Sequence, residues 1–198
     1  IADWHSWRQA DTSAVTRNWV KSGVNFLTPR YDDFSDVSGN GLFNPQGYRF
    51  TEFPLFNLLH YSLFSLLSSH FSLELVGRLT SILATLVSAV LLFLLVRRHS
   101  TPGVAWLATA IFLFLPYNIY FTRVVLPDPL MVTLVLAALL AQSSSRPLTW
   151  IFGSLAVLVK PTAIFFLLPL LKDFWLFVSL LAPFGLWRIW EHRFPEGI

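Results

Sequence analysis

Hydrophobic residues are distributed unevenly along the chain. Residues 1–52 are mixed and polar, whereas residues 74–190 form nearly continuous hydrophobic blocks. Leu75–Val96 has the roughly 20 apolar residues that a membrane-spanning helix needs, and a basic Arg97-Arg98-His99 run closes it. Four further spans are predicted at Val104–Thr122, Leu126–Gln142, Leu148–Leu171 and Phe174–Trp190. The pattern therefore predicts an all-α, polytopic transmembrane protein.

Two hydrophobic segments differ from a simple span. Phe53–Leu67 is only about 15 residues long and contains Asn57 and His60, so we expect it to form a juxtamembrane helix that lies on the membrane surface. Lys160-Pro161 interrupts Leu148–Leu171, because proline removes an internal hydrogen bond. That segment is either one kinked span or two half-helices.

The polar first part of the chain has its own local pattern. Residues 6–22 are predicted to form a helix that Gly23 ends. Residues 28–52 are rich in proline, glycine, asparagine and aspartate, which predicts a long loop rather than a pair of strands. We therefore expect two regions, an extracytoplasmic loop with juxtamembrane helices (residues 1–74) and a transmembrane helical region (residues 75–198).

Charge indicates an orientation and excludes some partners. Arg97, Arg98 and Arg146 lie on one predicted side, which the positive-inside rule assigns to the cytoplasm of a multi-pass plasma (inner) membrane protein. Only 13% of residues are charged, and the net charge of +3 is mild and scattered, which argues against a nucleic-acid partner. The absence of cysteine excludes disulfides. Because the chain does not begin with Met and stops soon after a hydrophobic block, we interpret it as part of a longer protein.

Candidate chemistry is concentrated near the start of the chain, in Asp3, His5, Arg8 and Asp11. Arg8 and Asp11 share one face of the predicted helix. A carboxylate at the membrane surface can act as a general base, and an adjacent arginine can bind a phosphate. His5 with Asp3 or Asp11 is also a candidate divalent-metal site, although no spacing is diagnostic. The structural alternative is a surface Arg8–Asp11 ion pair beside tryptophan membrane anchors.

Four more ionisable residues lie in or next to the hydrophobic blocks. Arg123 and Asp128 fall between two predicted spans, where ionisable side chains indicate a functional site or a position at the water boundary. Lys160 lies within an apolar run and needs a partner, and a lipid phosphate is one candidate. Alternatively, its side chain extends to the membrane interface and keeps its charge in water. Arg78 is a candidate substrate contact or a simple interfacial anchor.

Several segments in this order resemble one family of membrane enzymes. They are HSWRQADTSAVTRNW (residues 5–19), GVNFLTPRYD (23–32), EFPLFNLLHYSLFSLL (52–67), YFTRVVLPDPL (120–130) and LAVLVKPTAIFFLLPLL (155–171). The set resembles the GT-C membrane glycosyltransferases of the protein-mannosyltransferase type, which include family 39 members and lipid A aminoarabinose transferases.

The resemblance implies a transferase that uses a polyprenyl-phosphate-linked sugar as donor and a lipid, glycan or protein as acceptor. It implies an acidic base in the first extracytoplasmic loop, for which Asp11 is the first choice and Asp3 the second. The resemblance also implies residues that bind the donor phosphate or the substrate, and the candidates are Arg8, His5, Arg123, Asp128, Lys160 and Arg78. The Asp-Glu pair at the end of the first span of better-known members is absent here.

Two other functions compete with this interpretation. A transporter or lipid flippase also places charges within membrane segments, but such proteins usually contain an internal repeat, and this sequence shows none. A non-catalytic membrane subunit is the third hypothesis.

Overall fold

The computed structural model describes residues 5–36, 39 and 41–198, and all regular elements in that part of the chain are helices. The α-helices are α1 (Ser6–Ser22), α2 (Leu55–Leu67), α3 (Leu73–His99), α4 (Pro102–Phe114), α5 (Pro116–Phe121), α6 (Asp128–Ala141), α7 (Arg146–Val159), α8 (Ala163–Phe166), α9 (Phe174–Leu180) and α10 (Ala182–Glu191). Two short 3-10 helices are Leu168–Lys172 and Pro195–Gly197. The predicted all-α fold class is confirmed.

The N-terminal helix and the loop after it match the sequence prediction. Helix α1 ends at Gly23, whose φ of 88° favours glycine and whose N–H donates to Trp19 O at 2.9 Å. The loop then folds back on itself, with one isolated bridge between Arg30 and Tyr48. At the turn, Gly47 has a φ of 63°, and a Cβ there would lie 2.5 Å from Tyr31 O. Glycine is therefore required where the loop reverses.

Helices α3, α6 and α7 pack side by side, with α6 in the middle, and we call them the three-helix layer. Small residues such as Ala138, Gly153 and Ala156 are buried, which lets helix backbones approach closely. A hydrogen bond of 2.8 Å joins Ser88 of α3 to Thr133 of α6. The larger buried hydrophobic cluster contains side chains of α6, α7 and α9 and Leu170 of the 3-10 helix Leu168–Lys172.

Helices α1 and α2 lie against this layer through buried polar contacts. The Asn57 amide of α2 donates to Thr12 O at 2.7 Å and to the Thr16 hydroxyl at 3.0 Å, which fixes α2 against α1. His60 Nε2 lies 2.8 Å from Leu73 O, at the start of α3. Asn57 and His60 are both buried, so their hydrogen bonds fix the position of α2 against α1 and against the start of α3.

Three predicted spans are divided where proline enters the hydrophobic pattern. Val104–Thr122 was predicted as one span, and this is wrong: Leu115, before Pro116, leaves the helical region with a ψ of 129° and separates α4 from α5. Lys160 is likewise extended before Pro161, so Leu148–Leu171 consists of separate pieces rather than one kinked helix. Phe174–Trp190 is divided into α9 and α10 just before Pro183.

The two ends of the three-helix layer differ in character. At the end where α3 finishes and α7 begins, which we call the basic end, Arg98 donates to the Ser143 hydroxyl at 2.8 Å and Arg146 pairs with Asp173. At the end where α6 begins and α7 finishes, which we call the site end, the Gln9 side chain of α1 accepts from Val125 N–H at 3.3 Å. The polar N-terminal segment and residues 123–128 therefore lie together, opposite Arg98 and Arg146.

Among the described residues, one helix is long enough to cross a membrane. Helix α3 has 27 residues and is long and apolar enough to cross a bilayer. Helices α2, α4, α6 and α7 are apolar but shorter, at 13 or 14 residues.

Candidate functional site

Three ion pairs lie at the site end of the three-helix layer. They join Arg8 to Glu52, Arg49 to Asp11 and Lys160 to Asp128. We call these six residues the charged cluster. They belong together electrostatically, because Arg8, Arg49, Lys160 and Asp128 all act on the Glu52 carboxyl.

Four members of the cluster were predicted from the sequence, and two were not. Arg8, Asp11, Asp128 and Lys160 come from three separate segments that the fold brings to one end. Arg49 and Glu52 were missed. The available signal for Glu52 was its position, since it is the acid that directly precedes the apolar segment 53–67.

Helix α1 places Arg8 and Asp11 one turn apart, yet each forms an ion pair with a residue near the C-terminal end of the loop that follows α1. Arg8 pairs with Glu52, and Arg49 Nη1 donates to Asp11 Oδ2 at 3.0 Å. These side chains are partly buried. The alternative of a simple surface pair between Arg8 and Asp11 is therefore wrong.

Glu52 occupies the most enclosed carboxylate position of the cluster, with a side chain only 13% exposed. Burial raises the pKa of Glu52, and the positive charges of Arg8, Lys160 and Arg49 lower it in part. Glu52 therefore takes up a proton more readily than an exposed glutamate. Once it is protonated, three cations face two carboxylates, and the cluster carries net positive charge.

Asp11 is more open, with a side chain 25% exposed. Burial raises the pKa of Asp11, Arg49 lowers it in part, and the Asp33 carboxylate raises it further. A carboxylate with a raised pKa is a stronger proton acceptor, and partial exposure leaves room for a hydroxyl to approach.

The Lys160–Asp128 pair is positioned by the antiparallel packing of α6 and α7. Asp128 is the first residue of α6, and Lys160 follows the last residue of α7 in an extended conformation. The two chain ends therefore meet at the same level. The partner that Lys160 was expected to need is supplied by Asp128 in this structure.

A cavity of about 400 Å³ lies beside Asp128. Its wall is mostly aromatic and aliphatic, with Asp128, Asn118 and Thr162 among its polar residues. The apolar side chains come from α4, α5, α6 and α8, namely Phe112, Tyr117, Phe121, Met131, Val132 and Phe166. Asp128 thus belongs both to the charged cluster and to an apolar cavity.

The remaining predicted site residues have other contacts. The His5 ring lies 6.1 Å from that of Phe121, the Arg123 guanidinium lies over the Tyr120 ring, and Arg78 donates to Arg123 O at 3.5 Å. Within residues 5–36, 39 and 41–198, the three ion pairs of the charged cluster are formed by other side chains. Asp3 lies outside the described residues. In the described ranges there is no group of three or more His, Cys, Asp or Glu side chains that could hold a metal ion.

Comparisons with protein-family models, with curated proteins and with solved structures found no match to this chain.

Proposed function

We propose that this chain is a multi-pass plasma-membrane glycosyltransferase that moves a sugar from a polyprenyl-phosphate donor to an acceptor at the extracytoplasmic face. The observation that carries the proposal is the position of Asp128, where the cluster of acids and cations meets an apolar cavity. A donor with a charged phosphate and a long apolar chain needs both kinds of surface next to each other.

Exposed apolar helix faces support the membrane location. Large side chains such as Val90, Trp106, Phe114 and Trp175 point away from the core and are exposed. On α3 the exposed Leu83, Val87, Val90 and Leu94 follow one another at spacings of three or four residues and so form one apolar face, which is rare on soluble monomers and typical of lipid contact. Arginines at the basic end are consistent with a cytoplasmic side, because positive charge is enriched there.

The apolar cavity suits the isoprenoid chain, and the cluster suits the phosphate. Arg8 can form two parallel hydrogen bonds to a phosphate, and Lys160 adds a point charge. Both cations are already held by carboxylates, so a phosphate competes with Glu52 and Asp128 for them. Protonation of Glu52 removes one competitor, and its raised pKa favours that step.

In the proposed reaction, Asp11 accepts the proton of an acceptor hydroxyl. The hydroxyl oxygen forms a bond to the anomeric carbon, while the bond from that carbon to the phosphate oxygen breaks and the lipid phosphate leaves with the electron pair. The pKa values of Asp11 and Glu52 are both raised, and Asp11 is preferred because its side chain is more exposed, at 25% against 13%.

The test compares the Asp11→Asn and Asp173→Asn variants in nanodiscs with a panel of polyprenyl-phosphate hexose and pentose donors. Sugar transfer and lipid-phosphate release are followed by mass spectrometry. We expect Asp11→Asn to slow transfer by about 10²–10⁴-fold with donor affinity unchanged, as for loss of a general base. Asp173, which pairs with Arg146 at the basic end, is the matched control.

The pH profile gives a second readout. Because the pKa of Asp11 is raised, wild-type transfer should fall as pH drops through a value above that of an ordinary aspartate. Full transfer by Asp11→Asn would remove Asp11 from the mechanism. Movement of intact donor across vesicles without sugar release would instead identify a flippase.

A further inference from the structure

A second, chemically different recess lies at the far end of α1. An open groove of about 700 Å³ runs between the last turn of α1 and the loop that follows it, and we call it the loop groove. This volume falls in the range of roughly 300–1,000 Å³ that is typical of small-molecule sites. Three aromatic side chains line it, with polar groups between them that include Lys21, Asp32 and Gln46.

The lining is mixed rather than apolar or strongly charged. Phe34 is 57% exposed and offers a ring face to a ligand, whereas Trp19 and Tyr31 are buried at 3% and 4% exposure and form the base of the groove. The amide of Gln46 can both donate and accept hydrogen bonds, Lys21 donates and Asp32 accepts. An exposed ring among donors and acceptors suits the face and hydroxyls of a neutral sugar, whereas the cavity beside Asp128 suits hydrocarbon.

Two side chains link the loop groove to Asp11, the proposed base. Tyr31 lines the groove, and the Arg49 guanidinium lies 5.0 Å from the centre of the Tyr31 ring. The same Arg49 donates to Asp11 at 3.0 Å. Contacts in the groove therefore reach the charged cluster through a single arginine.

Helix α1 provides a second connection between the loop groove and Asp11. Asn18 lines the groove and donates to Arg30 O and to Asp32 Oδ1, each at 3.1 Å. Asn18 and Asp11 are seven residues apart, which places them on one helix face about 10 Å apart along the axis. The groove and the proposed base therefore lie along the same face of α1.

We propose that the loop groove binds a neutral oligosaccharide, and that this glycan is the acceptor. The identification of the glycan as acceptor rests on the proposed transferase function. Binding of a sugar chain to the groove does not depend on catalysis, so the two ideas can fail separately.

The test measures binding directly. The chain in nanodiscs is titrated with neutral di- to tetrasaccharides of glucose, galactose and mannose, followed by saturation-transfer NMR. We expect Phe34→Ala to weaken the best ligand by about tenfold, because one stacking face is lost. Phe43→Ala is the matched control, since Phe43 is a 79% exposed phenylalanine of the same loop that does not belong to the groove lining as the structure describes it.

Gln46→Ala provides a second variant, because Gln46 is also exposed and its loss leaves the core intact. Weaker binding in both groove variants and unchanged binding in Phe43→Ala support the proposal. It is overturned if the wild type binds none of the saccharides, if both groove variants bind as tightly as the wild type, or if an unglycosylated peptide displaces the sugar. Absence of sugar release from every donor, with saccharide binding retained, would refute the transferase function and leave the glycan site in place.

Discussion

Replacing Gly77 with alanine tests the packing that supports the charged cluster. A Cβ at this position would lie 2.8 Å from His60 Cε1 and 2.9 Å from Val125 Cγ1, well inside the ordinary carbon contact distance of about 3.5–4.0 Å. His60 and Val125 are both buried, so neither side chain has free space to move into. The contact matters for function because α2 follows Glu52 and Val125 lies just before Asp128.

Three effects set the size of the change. Overpacking in a buried position costs about 1–3 kcal/mol. The new methyl would also displace His60 from its 2.8 Å hydrogen bond to Leu73 O, which costs about 1 kcal/mol. Alanine regains about 1 kcal/mol over glycine through helix propensity. The expected net result is that the free energy of unfolding falls by about 1–3 kcal/mol.

Equilibrium unfolding in mixed micelles, with increasing SDS and tryptophan fluorescence as the signal, measures this change. Gly185→Ala is the matched control, because Gly185 lies inside α10 and a Cβ there meets open space. Gly185→Ala should be neutral or stabilising. Adding Val125→Ala to the Gly77→Ala variant should cost less than the sum of the single changes, because it removes one of the clashes. The reasoning is refuted if the Gly77→Ala and Gly185→Ala variants are equally stable.

Two further predictions concern the donor and the membrane. Lys160→Ala should weaken binding of a polyprenyl-phosphate donor by about tenfold or more, as for loss of one charge-assisted hydrogen bond. Lys172→Ala, which changes a lysine in the 3-10 helix after α8, should leave donor binding unchanged. Equal donor affinity of the two variants in titration calorimetry would count against the phosphate role of Lys160. The chain contains no cysteine, so single cysteines at the exposed Ser35 and Ser144 can be labelled with an impermeant maleimide in intact cells. Ser35→Cys should react at once and Ser144→Cys only after permeabilisation, whereas equal labelling of the two would contradict the proposed orientation.

Local features of the fold were well predicted. The bounds of α1, its end at Gly23 and the irregular loop after it all follow from neighbouring residues in the chain. The division of the predicted Val104–Thr122 span was missed, although Pro116 carried the signal. A hydrophobic average over the window hides one proline, yet a proline inside a helical segment disfavours helical geometry at the residue before it, and Leu115 is extended there.

The charged cluster was predicted only in part, because its pairs join distant residues. Arg8 and Glu52 are 44 positions apart, and Arg49 and Asp11 are 38 apart. The spacing of Arg8 and Asp11 on one helix face suggested that they pair with each other, and the folded loop provides different partners. Arg49 has no local pattern that distinguishes it from any other loop arginine.

The sequence by itself determined that the chain is helical, that α1 ends at Gly23, that Lys160-Pro161 interrupts a hydrophobic block, and that the apolar blocks are separated from a polar first part. These properties depend on backbone geometry and side-chain periodicity within a few residues. Only the tertiary structure decided that Glu52 is surrounded by three cations, that Asp128 meets Lys160, and that the loop groove adjoins Asp11 through Arg49 and Tyr31. Such contacts form because antiparallel helices bring their ends to the same level and because the loop reverses at Gly47, and both depend on packing between residues far apart in the chain.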